Sequence, residues 1–297
     1  MQITNSRIPQ SKAVIFKRRL VSTIALWGIV GLSLALKSDW IFFILILAIS
    51  LGGLLEYFSM LPRVGHRRFR RHSLLFGFIY ISALFAISLK FDSPGYLAFA
   101  DSFAIFALLF TIVVTQIRKP LEGILSLEEI LVAVFGYIYI IILFGFVSKI
   151  YLLPPGDSGG SPLFYLIFLC VVTKFTDMGA YAIGSLFGKH KMVPNISPGK
   201  TWQGFGGSLL GSLVAGFGCF WLFGDKIPII ESTHVVILSL VLALAAVLGD
   251  LAESILKRTL GVKDSGALFP GIGGILDLID SLLFTAPVLY LYLFLFR

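Results

Sequence analysis

The stretch Gly249–Ser281, GDLAESILKRTLGVKDSGALFPGIGGILDLIDS, carries five acidic residues, Asp250, Glu253, Asp264, Asp277 and Asp280, and three basic ones, Lys257, Arg258 and Lys263. It lies between two strongly apolar runs, and ionisable groups gathered in such a setting mark reaction or transport sites. On a helix, Asp250, Ser254 and Lys257 at i, i+4 and i+7 share one face, and Asp277, Asp280 and Ser281 share another. Between them runs a polar loop ending in Pro270-Gly271-Ile272-Gly273-Gly274, where the last hydrophobic run begins. Two acidic helix faces joined by a basic, glycine-rich loop point to a site for metal and phosphate.

Composition says what those helices cross. The chain has 297 residues, of which 57% are hydrophobic and 13% charged, with a mean hydropathy of +0.94. A soluble domain of this length needs far more polar surface, so the composition predicts an all-α, polytopic integral membrane protein. Barrel strands are excluded, because the apolar runs are too long and lack period-two alternation. The net charge of +8 does not point to nucleic acid, since the basic residues fall in short loops between spans and there set orientation. Cys170 and Cys219 each sit inside an apolar run, which offers neither a disulfide framework nor a CxxC site. The basic leader Met1–Arg19 is followed by no small-residue cleavage pattern, so the first apolar run reads as an anchored span.

About nine spans are predicted: Leu20–Leu36, Trp40–Leu61, Ser73–Leu89, Phe99–Val114, Leu131–Val147, Leu163–Phe187, a seventh opening at Ser197-Pro198, His234–Leu248 and Ile275–Phe296. Residues 1–150 form an N-terminal region of about five spans and residues 151–297 a catalytic region of about four. In the first region, Glu56 near the inner end of its span admits either a structural pairing or a functional role. The loop Pro62–His72, PRVGHRRFRRH, either sets orientation or attracts anionic headgroups at about 1 kcal/mol per basic residue. Arg118, Lys119, Glu122, Glu128 and Glu129 mark a mixed-charge connection read as a short interfacial helix. The sixth span buries Lys174 and Asp177, which can pair at i, i+3, with Tyr181 extending that face.

A second polar cluster, Gly188–Gly207, reads GKHKMVPNISPGKTWQGFGG. Its GKT invites a P-loop reading, but Pro194 stands where that motif needs glycine, and no parallel sheet is expected to carry it. What remains is a basic loop with Lys189, Lys191 and Lys200, in which Ser197 caps the seventh span and Pro198 fits its first turn. Gly206, Gly207, Gly211, Gly216 and Gly218 give that span a small-residue surface for close helix contact. With the N-terminus inside, the inside segments hold 18 Lys and Arg against 5 outside, and Lys174 lies in the membrane. That bias predicts a cytoplasmic N-terminus and puts both polar clusters at the cytosolic face of a cell membrane.

Carboxylates from two helices at a membrane boundary suit Mg2+, which takes oxygen ligands and leaves positions for phosphate. Lysines neutralise phosphate charge, and the Gly271–Gly274 turn lets backbone N–H groups meet an anion at a helix N-terminus. This is the equipment of phosphoryl or nucleotidyl transfer, in which catalysis is mostly positioning and electrostatic stabilisation.

The same residues carry a resemblance. Ser254-Ile-Leu-Lys257-Arg258, Lys263-Asp264-Ser265-Gly266, Pro270-Gly-Ile-Gly-Gly274-Ile-Leu-Asp277 and Asp280-Ser281 resemble the C-terminal motif of the phosphatidate cytidylyltransferases, or CDP-diacylglycerol synthases. Asp177-Met-Gly-Ala-Tyr181, Gly184, Phe187-Gly-Lys189 and Ile196-Ser-Pro-Gly-Lys-Thr-Trp202 with Gly204 resemble that family's upstream segment. The resemblance covers Lys174 to Leu283, while the first half matches only as a hydrophobic multi-span region. It implies the reaction of phosphatidate with CTP to give CDP-diacylglycerol and pyrophosphate, with Mg2+, a monovalent cation such as K+, and a homodimer. It also implies Asp250 and Asp277 as metal ligands with Asp280 beside them. Ser254, Lys257, Lys263 and Asp264 then line the nucleotide phosphates, and Lys200 reaches the same pocket. The substrate-binding set extends to Ser197, Thr201, Arg258, Gly273, Gly274 and Asp177. Three positions depart from the pattern: Ile272 in place of a histidine, Leu278 in place of an arginine and Gln203 in place of a glutamate. Isoleucine and leucine can neither carry charge nor donate from a side chain.

Two other functions fit membrane-edge aspartates. A CDP-alcohol phosphotransferase is expected to continue after its first DxxD with DGxxAR, whereas SLLFTAP follows Asp280 here. An ion-coupled transporter using Lys174, Asp177 and Asp250 as a relay is expected to show duplicated halves, whereas the polar chemistry lies in the C-terminal half.

Overall fold

Long apolar runs with few internal breakers make every stretch that crosses the hydrocarbon a helix, because a backbone without water must satisfy its own hydrogen bonds. The structure, a computed structural model, describes residues 38–61, 67–88, 94–154, 160–263, 265–266 and 273–296. Among them are eight helices long and apolar enough to cross a membrane. These are α1 (Asp39–Met60), α2 (Arg70–Ser88), α3 (Pro94–Ile117), α4 (Ile124–Tyr151), α5 (Pro162–Phe187), α6 (Trp202–Phe223), α7 (Ser232–Thr259) and α8 (Leu276–Phe296). The protein is a polytopic membrane protein of the helical class. The predicted leader, the span Leu20–Leu36 and Pro270 to Ile272 lie outside the described residues.

Three boundaries differ from the sequence reading, each for a local reason. α7 does not stop at Leu248 but runs 28 residues, about 42 Å against a hydrocarbon core of about 30 Å. Its last turns carry Asp250, Glu253 and Lys257 on one face. Glu128 and Glu129 belong to the span α4 itself rather than to an interfacial helix. Arg68 explains how: it lies 2.7 Å from the buried Glu129 and 3.0 Å from Glu122, so the charge enters the helix already paired. α4 also contains a π-helical segment, Tyr137–Ile142, beside the point where Gly136 admits the ring of Tyr57.

The third difference is in the second polar cluster. Ser197 caps no helix there. Lys191–Val193 (β1) and Ser197–Thr201 (β2) form a two-stranded antiparallel hairpin, with Lys191 opposite Thr201 and Val193 opposite Ser197. The cap is Thr201, whose Oγ1 accepts from the Gly204 N–H at 3.1 Å, so α6 begins at Trp202. Pro198 is tolerated because a two-stranded ribbon has only edges.

Lys149 in α4 is fully buried and paired with Asp101, which also accepts from Tyr80 Oη at 2.7 Å.

α5 and α6 pack along their length on a seam of glycines. A methyl group at Gly207 would run into the Gly179 carbonyl, and one at Gly211 would stand 3.2 Å from Gly179 Cα. Backbone contact of this kind is how helices associate where lipid supplies no hydrophobic drive. α7 and α8 are held equally close at their polar ends, where a methyl group at Gly249 would stand 3.1 Å from Ser281 Cα. Gly207→Ala is expected to destabilise the protein by about 1–3 kcal/mol through overpacking. Gly218→Ala, with open space around it, is expected to leave stability unchanged; reversible unfolding in mixed micelles compares the two.

Candidate active site

α5, β2, α7 and α8 converge on one cavity of about 640 Å³ at the polar ends of the last helices. α5 contributes Lys174 and Asp177, β2 contributes Lys200 and Thr201, α7 contributes Asp250, Glu253 and Lys257, and α8 contributes Asp277, Asp280 and Ser281. Five carboxylates thus face three ammonium groups, so the walls are formally anionic before any ligand enters.

The ion pairs fix how those charges are arranged. Lys200 Nζ lies 2.9 Å from Asp250 Oδ2 and donates to the Val247 carbonyl at 3.3 Å, which ties the hairpin to α7. Lys174 Nζ lies 3.7 Å from Asp177, the i, i+3 pairing expected from sequence, and also donates to the Leu278 carbonyl at 3.2 Å. Lys257 Nζ sits between two helices, 2.7 Å from Glu253 Oε2 and 2.6 Å from Asp277 Oδ1. Asp277 Oδ2 accepts in addition from Ser265 Oγ and from the Gly274 N–H, both at 2.7 Å. Gly273, at φ 123°, lies in a region that disfavours a side chain. A methyl group there would also stand 2.8 Å from the Asp277 carboxyl carbon.

Several predicted residues lie apart from the cavity. Ser197 on β2 and Ser254 on α7 do not line it. Arg258 is exposed, and its Nε donates to the Ile196 carbonyl at 3.2 Å, bracing the end of α7 against the hairpin. Lys263 is exposed in the turn after α7, and Asp264 lies outside the described residues. Thr201 faces the cavity but its hydroxyl caps α6. Gln203, where a glutamate was expected, accepts through Oε1 from the Lys189 and His190 N–H groups, each at 3.2 Å. Its amide nitrogen lies 2.8 Å from His190 Nδ1. An uncharged amide serves this position because its work is to hold the hairpin.

Glu253 is the residue the sequence reading left out of the site. It is 1% exposed, one oxygen meets Lys257, and Oε1 has no hydrogen-bond partner among the described residues. Its spacing, i+3 from Asp250 and i−4 from Lys257, placed it on the acidic face and was the available signal. Ser265 was quoted in the motif, but only folding brings it to Asp277.

The donor set decides how a divalent cation fits. No three His, Cys, Asp or Glu side chains among the described residues are grouped so as to hold an ion by themselves. Mg2+ is commonly held by one or two carboxylates, with water and substrate phosphates completing its shell. Asp250, 39% exposed and paired on one oxygen, and the orphaned oxygen of Glu253 supply hard donors of that kind. The residues fit an ion shared with a phosphate-bearing ligand, and not an all-protein cage.

A family model described as "Cytidylyltransferase family" matches residues 17–296. The chain belongs to the cytidylyltransferase family. It is 45% identical over 134 residues to the phosphatidate cytidylyltransferase of Bacillus subtilis, covering 45% of this chain and 49% of that protein. With the phosphatidate cytidylyltransferase of Haemophilus influenzae it shares 44% identity over 135 residues, 44% of this chain and 46% of the other. An uncharacterized Escherichia coli protein, YnbB, is 34% identical over 158 residues, 53% of this chain and 51% of its own length. The chain spans about half the length of the curated relatives it matches.

Lys257→Met is expected to cost about 3–5 kcal/mol, because it leaves Glu253 buried without its counter-ion. Lys257→Met combined with Glu253→Gln is expected to recover most of that loss. Unfolding of both variants in mixed micelles measures the difference.

Proposed function

We propose that this protein transfers a cytidylyl group from CTP to phosphatidate, giving CDP-diacylglycerol and pyrophosphate. The observation that carries the proposal is the cavity in which lysines and carboxylates of α5, β2, α7 and α8 meet at the polar ends of the last helices. Membership of the cytidylyltransferase family supports the reaction class, and the printed names of relatives such as the Bacillus subtilis protein support the lipid substrate. The excess of basic residues on the same side of the membrane supports a cytosolic opening, where CTP is available.

A phosphatidate phosphate oxygen is anionic at neutral pH and attacks the α-phosphorus of CTP without a general base. A new P–O bond forms as the bond from the α-phosphorus to the bridging oxygen breaks, and pyrophosphate leaves with the electron pair. Lys200 and Lys174, reaching the cavity from β2 and α5, offset charge on the nucleotide phosphates. Lys257, engaged by Glu253 and Asp277, holds α7 and α8 in register and aims the Asp277 carboxylate. In this proposal Asp250, with the unpartnered oxygen of Glu253, would hold Mg2+, while Asp277, both of whose oxygens are already bonded, and Asp280 would add negative charge from α8. When bound, the ion supplies charge neutralisation that lets a polyphosphate enter an anionic cavity. The chain's own part is to present those carboxylates from two helices fixed against each other at Gly249.

Asp277→Asn in the purified protein is expected to reduce CDP-diacylglycerol formation by about 100-fold or more while the protein still inserts and purifies normally. The assay supplies phosphatidate and labelled CTP and scores labelled lipid with and without Mg2+. Full turnover by Asp277→Asn removes the assignment of Asp277. Absence of labelled lipid from the wild-type chain removes the synthase reading.

A further inference from the structure

Glu56 belongs to α1, 220 positions before the residue it touches on α8. Its Oε2 accepts from the Leu276 N–H at 3.0 Å. Leu276 opens α8, so this N–H has no partner within its helix, and a carboxylate at a helix N-terminus also meets the positive end of the helix dipole. A charge-assisted bond there is stronger than a neutral one.

The loop before α8 is shaped around the same carboxylate. A methyl group at Gly266 would stand 2.9 Å from Glu56 Cδ, and one at Gly274 would stand 2.7 Å from it. Both ends of the loop therefore lack side chains where Glu56 lies between them. Gly274 itself and Ser265, next to Gly266, hold Asp277: Ser265 Oγ and the Gly274 N–H donate to its Oδ2. The Glu56 carboxylate is thus a template around which the two strands of the loop close, and the product of that closure is the orientation of Asp277.

We propose that Glu56 is a positioning residue for cytidylyl transfer, a carboxylate from the first half of the chain that sets the loop and first turn carrying Asp277. The proposal rests on the reading of this cavity as the cytidylyl-transfer site. Glu56 does not line the cavity, so it acts through the loop and not on substrate.

The test uses the full chain in phospholipid nanodiscs with phosphatidate and labelled CTP. Glu56→Ala is expected to lower kcat by about 10-fold or more, the size set by a hydrogen bond to a charged group, with KM for CTP little changed. Glu56→Gln keeps an acceptor oxygen in place and is expected to recover most of kcat. Hydrogen exchange at the Leu276 amide is expected to quicken in Glu56→Ala and to stay near wild type in Glu56→Gln. Gly266→Ala is expected to lower kcat alone and to add little in the Glu56→Ala background, because the clash is then gone. Glu56→Asp withdraws the acceptor by one methylene and carries the same test if Glu56→Ala fails to fold. Wild-type kcat and wild-type Leu276 exchange in Glu56→Ala overturn the proposal, as does a loss confined to KM. If the wild-type chain makes no labelled lipid, the synthase reading fails, and Leu276 exchange alone then decides whether Glu56 holds the loop.

Discussion

The ammonium of Lys257, within 2.7 Å of Glu253 and 2.6 Å of Asp277, is the contact on which the arrangement of the last two helices depends. α7 and α8 approach at Gly249 until backbone meets backbone, and the approach brings acidic faces toward each other. Carboxylates at that range repel unless a cation stands between them, and removal of either partner leaves a buried charge uncompensated. The pairing therefore fixes register, depth and rotation of both helices together.

The remaining elements can be understood as supports for that junction. α5 and α6 use glycines to bring backbones together and so keep Lys174 and Asp177 facing α7 and α8. The hairpin between them lays Lys200 against Asp250, and the Thr201 cap decides where the strand ends and the helix begins. α1 reaches the loop before α8 through Glu56, so a carboxylate from the first half of the chain touches the edge of the polar centre. Further from the site, the fully buried Lys149 is paired with Asp101, so that charge too enters the bundle with a partner in place.

Departures from the family pattern acquire different meanings once placed. Gln203 accepts two backbone N–H groups, work that an amide oxygen does as well as a carboxylate. At Leu278 the side chain offers no charge, yet its carbonyl receives Lys174, so a cation reaches that point of α8 from α5. Ile272 lies outside the described residues.

The sequence by itself determined the helical membrane class, because apolar runs of this length admit no other spanning structure, and it located the polar centre, because charge in such a chain is rare enough to stand out. It also determined the i, i+3 pairing of Lys174 with Asp177, a contact within one helix turn. What it could not determine was where polar residues end a span. The span of α7 was ended at Leu248 because hydropathy falls there, although the helix runs on to Thr259. Ser197 was read as a cap because cap chemistry is local and Thr201 offers it equally well. Only the tertiary structure decided the partners of Lys257, the burial of Glu253 and the insertion of Glu56 between Gly266 and Gly274. Each depends on which helices lie side by side, and contacts between distant segments leave no periodic trace in the sequence of either one.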